Sequence, residues 1–278
     1  MAEDEDRLFY GSVQNDGIRL QYYRTGGEKP PLVFIHGYTD NGLCWSRLPL
    51  FLRHTYDVVM YDARGHGISD HPEGSTYSLA ERAEDAIAVI EGLSLQRPVL
   101  IGHSMGADTA ARVAADHPKT IRGLVLIDPP WFPQGWNFPT EVLEERAQKS
   151  RESILRWHSQ TLDEVIELCR EKHPQWDEAE YFQWAKAKKQ VRPEAASVIT
   201  QPREDWWDML KRITCPVLLA TANVEAGGLV NDEVAEEAVQ LCKTLERVYF
   251  EQAGHSIHRE EFYALRDAVR TFLRRLKS

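Results

Sequence analysis

The sequence predicts an α/β protein with a mostly parallel central sheet, helices on both faces and an inserted α-helical cap. Three observations lead there. Short apolar runs of strand character alternate with helical segments through residues 31–130 and again from residue 216. At residues 99–106, VLIGHSMG, one such run enters a glycine-flanked turn and a small-residue helix follows at once. From about Trp131 to Arg212 the strands stop and only helical signals remain, so residues 1–130 and 213–278 are expected to form the core domain and 131–212 the cap. A chain of 278 residues, 42% of them apolar, is long enough to bury a large core.

In order, residues 8–13 and 18–24 read as two strands joined by Asn15, Asp16 and Gly17, residues that tolerate a hairpin turn; they are expected at an antiparallel edge. Residues 31–36 form a short buried strand, followed by the loop Gly37-Tyr38-Thr39-Asp40-Asn41-Gly42 and a helix beginning near Trp45. Residues 57–61 form the next strand. The following Asp62-Ala63-Arg64-Gly65-His66-Gly67-Ile68-Ser69 lacks the third glycine of a dinucleotide fingerprint and opens no helix, so it is assigned a structural role. Ser78-Leu79-Ala80-Glu81 is a capping box that starts a helix running to about Gly92. Residues 98–101 lead to the Ser104 turn, 107–115 form a helix, and 121–127 form a strand ending in Asp128-Pro129-Pro130-Trp131. The helical region is punctuated by Pro139, the capping box Thr161-Leu162-Asp163-Glu164, Pro174, Pro193 and Pro202. It holds Trp131, Trp136, Trp157, Trp176, Trp184, Trp206 and Trp207; most are expected to fill the cap's own small core and the seam between cap and core, while Trp131 and Trp136, next to Asp128, are the candidates for a large apolar pocket. Residues 216–222 return to a strand, with Asn223 and Glu225 in the loop behind it. A helix from Asn231 to about Cys242, a last strand at 247–251, Gly254-His255-Ser256-Ile257-His258 and an amphipathic helix complete the chain.

In the turn Gly102-His103-Ser104-Met105-Gly106 the glycines remove Cβ atoms that would meet the neighbouring strand and helix, which leaves the Ser104 hydroxyl exposed at the carboxyl edge of the sheet. The stretch resembles the nucleophile elbow of the α/β-hydrolase superfamily, and the resemblance runs from about Leu8 to Leu276. It implies a catalytic triad in the order Ser, acid, His. Ser104 is the expected nucleophile, and His255, behind a glycine after the last strand, is the expected base. An imidazole must take the serine proton, and a carboxylate must hold that imidazole in one tautomer. Two acids remain open: Asp128, favoured and in the position used by some haloalkane dehalogenases and zearalenone-type lactonases, and Glu225, at the commoner position where this chain has no Asp. The family's H-G-x pattern at His36-Gly37-Tyr38 implies an oxyanion hole made by the amides of Tyr38 and Met105, with Gly37 letting backbone approach the substrate; His36 and His258 are expected to be structural or lesser pocket residues.

Serine at the elbow, in place of the aspartate of dehalogenases and epoxide hydrolases, implies acyl chemistry. The expected enzyme is a carboxylesterase or lactonase acting on a bulky apolar ester, with a carbon–carbon bond hydrolase or a slow-turnover ligand receptor as the alternatives. No metal or organic cofactor is expected, since H-E-x-x-H, a P-loop and a complete dinucleotide motif are all missing. A formal charge of −10 argues against nucleic acid and anionic membrane as partners, leaving a small-molecule substrate and a monomer or homodimer. The scattered Cys44, Cys169, Cys215 and Cys242 read as reduced thiols. With no long apolar run and an acidic start, a cytoplasmic protein is expected.

Overall fold

The structure, a computed structural model, describes residues 8–71, 74, 76–202 and 204–276; the acidic residues 1–6 fall outside them. Strands β1 (Phe9–Asn15) and β2 (Ile18–Arg24) form an antiparallel hairpin in which Asn15 pairs with Ile18. Its turn residues Asp16 and Gly17 both hold positive φ (47° and 80°), the backbone that matches the right-handed twist of paired strands. β2 pairs antiparallel with β4 (Asp57–Tyr61). From there the sheet is parallel, with β4, β3 (Pro31–Ile35), β5 (Val99–His103), β6 (Gly123–Ile127), β7 (Val217–Ala222) and β8 (Leu245–Phe250) side by side in that order. Because β4 lies on one side of β3 and β5 on the other, the loops leaving β3 and β5 diverge and open a crevice at their carboxyl ends.

Helices α1 (Leu48–Leu52), α2 (Leu79–Gly92) and α3 (Met105–Asp116) connect the first parallel strands. α4 (Thr140–Ser159), α5 (Leu162–Lys172), α6 (Glu178–Gln190) and α7 (Trp206–Arg212) lie between β6 and β7, as a helical insert. α8 (Asp232–Leu241), α9 (Ile257–Glu260) and α10 (Phe262–Arg275) complete the chain. The central strands are covered on both faces, so their residues are apolar without a break and alternate between two cores. Val33, Ile35, Leu100, Leu124 and Leu219 pack with α2, α3 and α8 on one face; Leu32, Phe34, Ile101, Val125 and Leu218 pack with α1 and α10 on the other.

Two elements differ from the sequence reading. Instead of a helix beginning near Trp45, a single 3-10 turn at Gly42–Cys44 precedes a five-residue α1 with Pro49 in its first turn, where a missing N–H costs nothing. Trp45 packs edge-on against Phe34 in the core, with ring centroids 5.1 Å apart. The last strand begins at Leu245, two residues earlier than read, because β8 is an edge strand on which Glu246 and Arg247 reach solvent.

Both capping boxes form, Ser78 with Glu81 and Thr161 with Glu164. The insert has its own small core of Val165, Cys169, Trp176, Tyr181, Trp184 and Ala185, whereas Trp131 and Trp206 join the main core. Buried ionic and polar contacts tie the insert to the loop after β3. Lys188 of α6 donates to Asp40 (3.0 Å), Thr39 O (3.0 Å) and Thr39 Oγ1 (2.8 Å), and Arg259 of α9 pairs with the other Asp40 oxygen at 3.0 Å. Asn41 donates to Gln190 at 2.8 Å, and the Tyr38 hydroxyl lies 2.6 Å from Ser150 Oγ on α4. All four cysteines are free and buried. Among the described residues no helix is long and apolar enough to cross a membrane.

Candidate active site

Ser104 follows β5 and caps α3 with φ 52° and ψ −117°, a backbone region that non-glycine residues seldom occupy and that costs on the order of 1–3 kcal/mol. The neighbours explain how the chain makes that turn. A Cβ on Gly102 would stand 2.3 Å from Gly106 O, and one on Gly106 would stand 2.2 Å from Ile35 O in β3, both backbone atoms that cannot yield. The Ser104 amide donates to Ile127 O at 2.9 Å, so the turn is pinned to the end of β6.

The residue after Ile127 is Asp128, itself at φ 44° and fully buried. Its Oδ2 lies 2.6 Å from His255 Nδ1 and 3.0 Å from the Leu229 amide, while Oδ1 accepts from Leu229 (3.1 Å) and Val230 (3.2 Å). Both oxygens are therefore occupied, and the imidazole is held with Nδ1–H toward the acid. Glu225 sits elsewhere: it is exposed on the turn Val224–Ala226, its amide donates to Asn223 Oδ1, and among the described residues its carboxylate has no hydrogen bond. His255 is further fixed through its carbonyl, which accepts from His103 Nε2 at 2.9 Å, the histidine next to Ser104. Gly254 has no room for a side chain, since a Cβ would lie 2.1 Å from Ala226 O. Among the described residues no hydrogen bond joins Ser104 to His255; their loops are linked through the His103–His255 bond and through the Ser104 amide on Ile127 O, the residue before Asp128.

Across the crevice, Gly37 packs on the elbow so closely that a Cβ would lie 2.7 Å from His103 Nδ1. The amides of Tyr38 and Met105 have no acceptor among the described residues. His36 braces this loop: its Nε2 accepts from the Ala63 amide at 3.0 Å, which leaves Nδ1–H to donate to Gly37 O at 2.8 Å. The loop after β4 braces it too, with Asp62 accepting the amides of Gly42 (2.8 Å) and Ile68 (2.9 Å). Burial pushes His36, His103 and His258 below the usual imidazole range and takes His66 to about 3, so all four are neutral near pH 7. Asp40 goes the other way: burial alone would raise it, yet the charges of Arg259 and Lys188 hold it well below the carboxylate range. Asp40, His103 and His258 offer donor atoms within 4.8 Å of one another, but two buried cations already occupy Asp40 and oppose a metal ion there.

A cavity of about 440 Å³ opens on Ser104, within the usual range for small-molecule sites. Tyr38 and Met105 line it from the core, and Trp131, Phe132, Trp136, Trp206 and Trp207 form the aromatic part of its wall, with Asp108, Glu204 and Asp205 also on the lining. Trp131 is buried and stacked on Trp206, with centroids 5.1 Å apart, while Trp136 lies exposed at the mouth. Sequence reasoning missed Trp206 and Trp207 as lining residues, although the Asp205 cap placed them at a helix start. It also missed Arg82 of α2, which lines the same space.

A family model described as the alpha/beta hydrolase fold matches residues 30–262, and the chain belongs to that family. With serine at its elbow, it is a serine hydrolase of this fold. N-formylmaleamate deformylase of Pseudomonas putida is 27% identical over 257 residues, covering 89% of this chain and 90% of that protein. Further curated relatives match over stretches spanning 30% to 40% of their own length. Among solved structures, E-2-(acetamidomethylene)succinate hydrolase superposes with a TM-score of 0.80 over 96% of this chain and 99% of that one at 23% identity. The enol-lactonase from Burkholderia xenovorans LB400 does so with 0.75 over 95% and 99% at 21% identity.

Proposed function

We propose that the chain cleaves a carboxylic ester or lactone of a bulky, largely apolar substrate through an acyl-enzyme, with residues 131–212 as its cap. The observation that carries this is the Asp128–His255 bond set behind the Ser104 elbow at the floor of an aromatic cavity. Ser104 Oγ attacks the carbonyl carbon while His255 Nε2 takes its proton. Asp128 keeps the imidazole in the Nδ1–H tautomer and stabilises the imidazolium. The amides of Tyr38 and Met105, the latter at the positive end of α3, receive the oxyanion. His255 then protonates the leaving oxygen, and a water activated by the same imidazole releases the acid. Gly37, Trp131 and Trp136 shape the space for the acyl and leaving groups.

Turnover of p-nitrophenyl acetate through octanoate and one aromatic macrolactone, by the purified chain and Ser104→Ala, tests this. Repeated turnover that falls at least about a thousandfold in the variant is expected. Amide hydrolysis is the second reading, favoured by the near full-length likeness to a protein named for removing a formyl group from N-formylmaleamate. An N-formyl amide turned over where no ester is would select it. With neither turned over, a vinylogous diketone tests carbon–carbon cleavage, and ligand-dependent cap mobility tests a receptor.

A further inference from the structure

We infer that Arg82 is an anion subsite of the catalytic cavity and that the substrate carries a carboxylate beside its scissile acyl group. This rests on the serine-hydrolase reading above and narrows its substrate class. Arg82 is only 7% exposed and stands one turn into α2, under the elbow helix. Its Nη1 donates to Met105 O (3.0 Å) and Thr109 Oγ1 (2.7 Å), and its Nε donates to Tyr77 O (3.3 Å). Every one of these acceptors is neutral. The remaining nitrogen, Nη2, has no partner among the described residues, is not sealed from solvent, and belongs to a side chain lining the cavity with Ser104 and Met105.

The other buried guanidiniums among the described residues are compensated: Arg64 meets Asp85 at 2.6 Å and Arg259 meets Asp40 at 3.0 Å. Arg82 has no carboxylate at ion-pair distance among the described residues. Asp108, also on the cavity wall, accepts the Trp131 indole N–H at 3.3 Å and acts on Arg82 only through space. Burial lowers the Arg82 pKa, with a smaller push from Arg64, while Asp108, Tyr61 and the more distant Asp85 oppose it without bonding to it, and a guanidinium remains charged near neutrality. A buried cation whose fixed partners are all neutral leaves its charge to be met by an anion from the cavity. A bracing role explains Nε and Nη1 and leaves Nη2 unexplained. A carboxylate accepts such a charge-assisted bond, and the aromatic wall takes the apolar remainder.

The test compares the 4-nitrophenyl half-ester of glutarate with 4-nitrophenyl pentanoate, equal in acyl length and differing in one carboxylate. The wild type is expected to prefer the anionic ester, and Arg82→Gln to reduce that preference in kcat/KM by at least about tenfold, mainly through KM. Arg82→Lys is expected to restore part of it. An unchanged preference ratio in Arg82→Gln, or a wild type that favours the neutral ester, overturns the subsite. A second arm needs no chemistry: glutarate and glutaramide are titrated by calorimetry into Ser104→Ala with and without Arg82→Gln. Glutarate binding weakened at least about tenfold by Arg82→Gln supports the subsite even if neither ester turns over, in which case the reaction assignment alone fails. Absence of glutarate binding, or binding indifferent to Arg82, overturns it.

Discussion

Leu229, Val230 and the His255 imidazole together take up both oxygens of Asp128, whereas the Glu225 carboxylate points into solvent from the next loop. Asp128→Asn is therefore expected to cut kcat by about three to four powers of ten, because the amide favours the wrong imidazole tautomer. Glu225→Gln is expected to stay within about twofold. Steady-state kinetics on whichever ester is turned over decides it, and a deep loss in Glu225→Gln would move the acid to that residue. Ser104 and His255 were legible because their signals are local: a strained turn needs glycines at fixed offsets, and a histidine follows a glycine after the last strand. The choice of acid was not legible in the same way, since both candidates follow strand ends and the difference lies in where the 228–230 backbone turns its amides. Arg82 stands among Glu81, Glu84 and Asp85, where the pattern is that of any solvated helix face; only the packing of α2 under α3 buries it.

The loop after β3 is the element on which the rest converges. Within six residues it offers the Tyr38 amide, the Tyr38 hydroxyl bonded to α4, and Asp40 between Lys188 of α6 and Arg259 of α9. Removing one partner of a buried ion cluster costs more than the cluster contributes, because the others stay buried and uncompensated. Asp40→Asn strands Lys188 and leaves Arg259 only Glu180, at 3.5 Å, and is expected to cost about 3–5 kcal/mol, while Lys188→Met, which leaves Asp40 with Arg259, is expected to cost less. Urea unfolding of both variants measures this, and a loss under about 1 kcal/mol in Asp40→Asn would show that the cluster is hydrated. Capping boxes and strand ends could be read beforehand since they are set within a few residues. These ion pairs join positions nearly 150 or more residues apart and leave no trace in local pattern.

At the scale of the whole molecule, four buried neutral histidines set the response to acid. Burial puts the native pKa of His36, His66, His103 and His258 below the unfolded value of about 6.5, so as pH falls the unfolded chain binds protons first. Their contribution is complete above about pH 7.5 and is lost progressively below about 6.5, so stability is expected to be lower at about pH 5.5 than at about 7.5. Urea midpoints at the two pH values check it, and equal midpoints would mean that the imidazoles are not held neutral. The alternation of apolar runs with helices made the α/β layering legible, while the strand order and the two-sided core depend on long-range pairing. One consequence concerns engineering. Because α6 places a lysine ammonium on the same loop that supplies the Tyr38 amide, the insert is not an interchangeable module: a lid transplanted from another scaffold would have to bring its own counter-charge for Asp40, or shed specificity and foldedness in the same step.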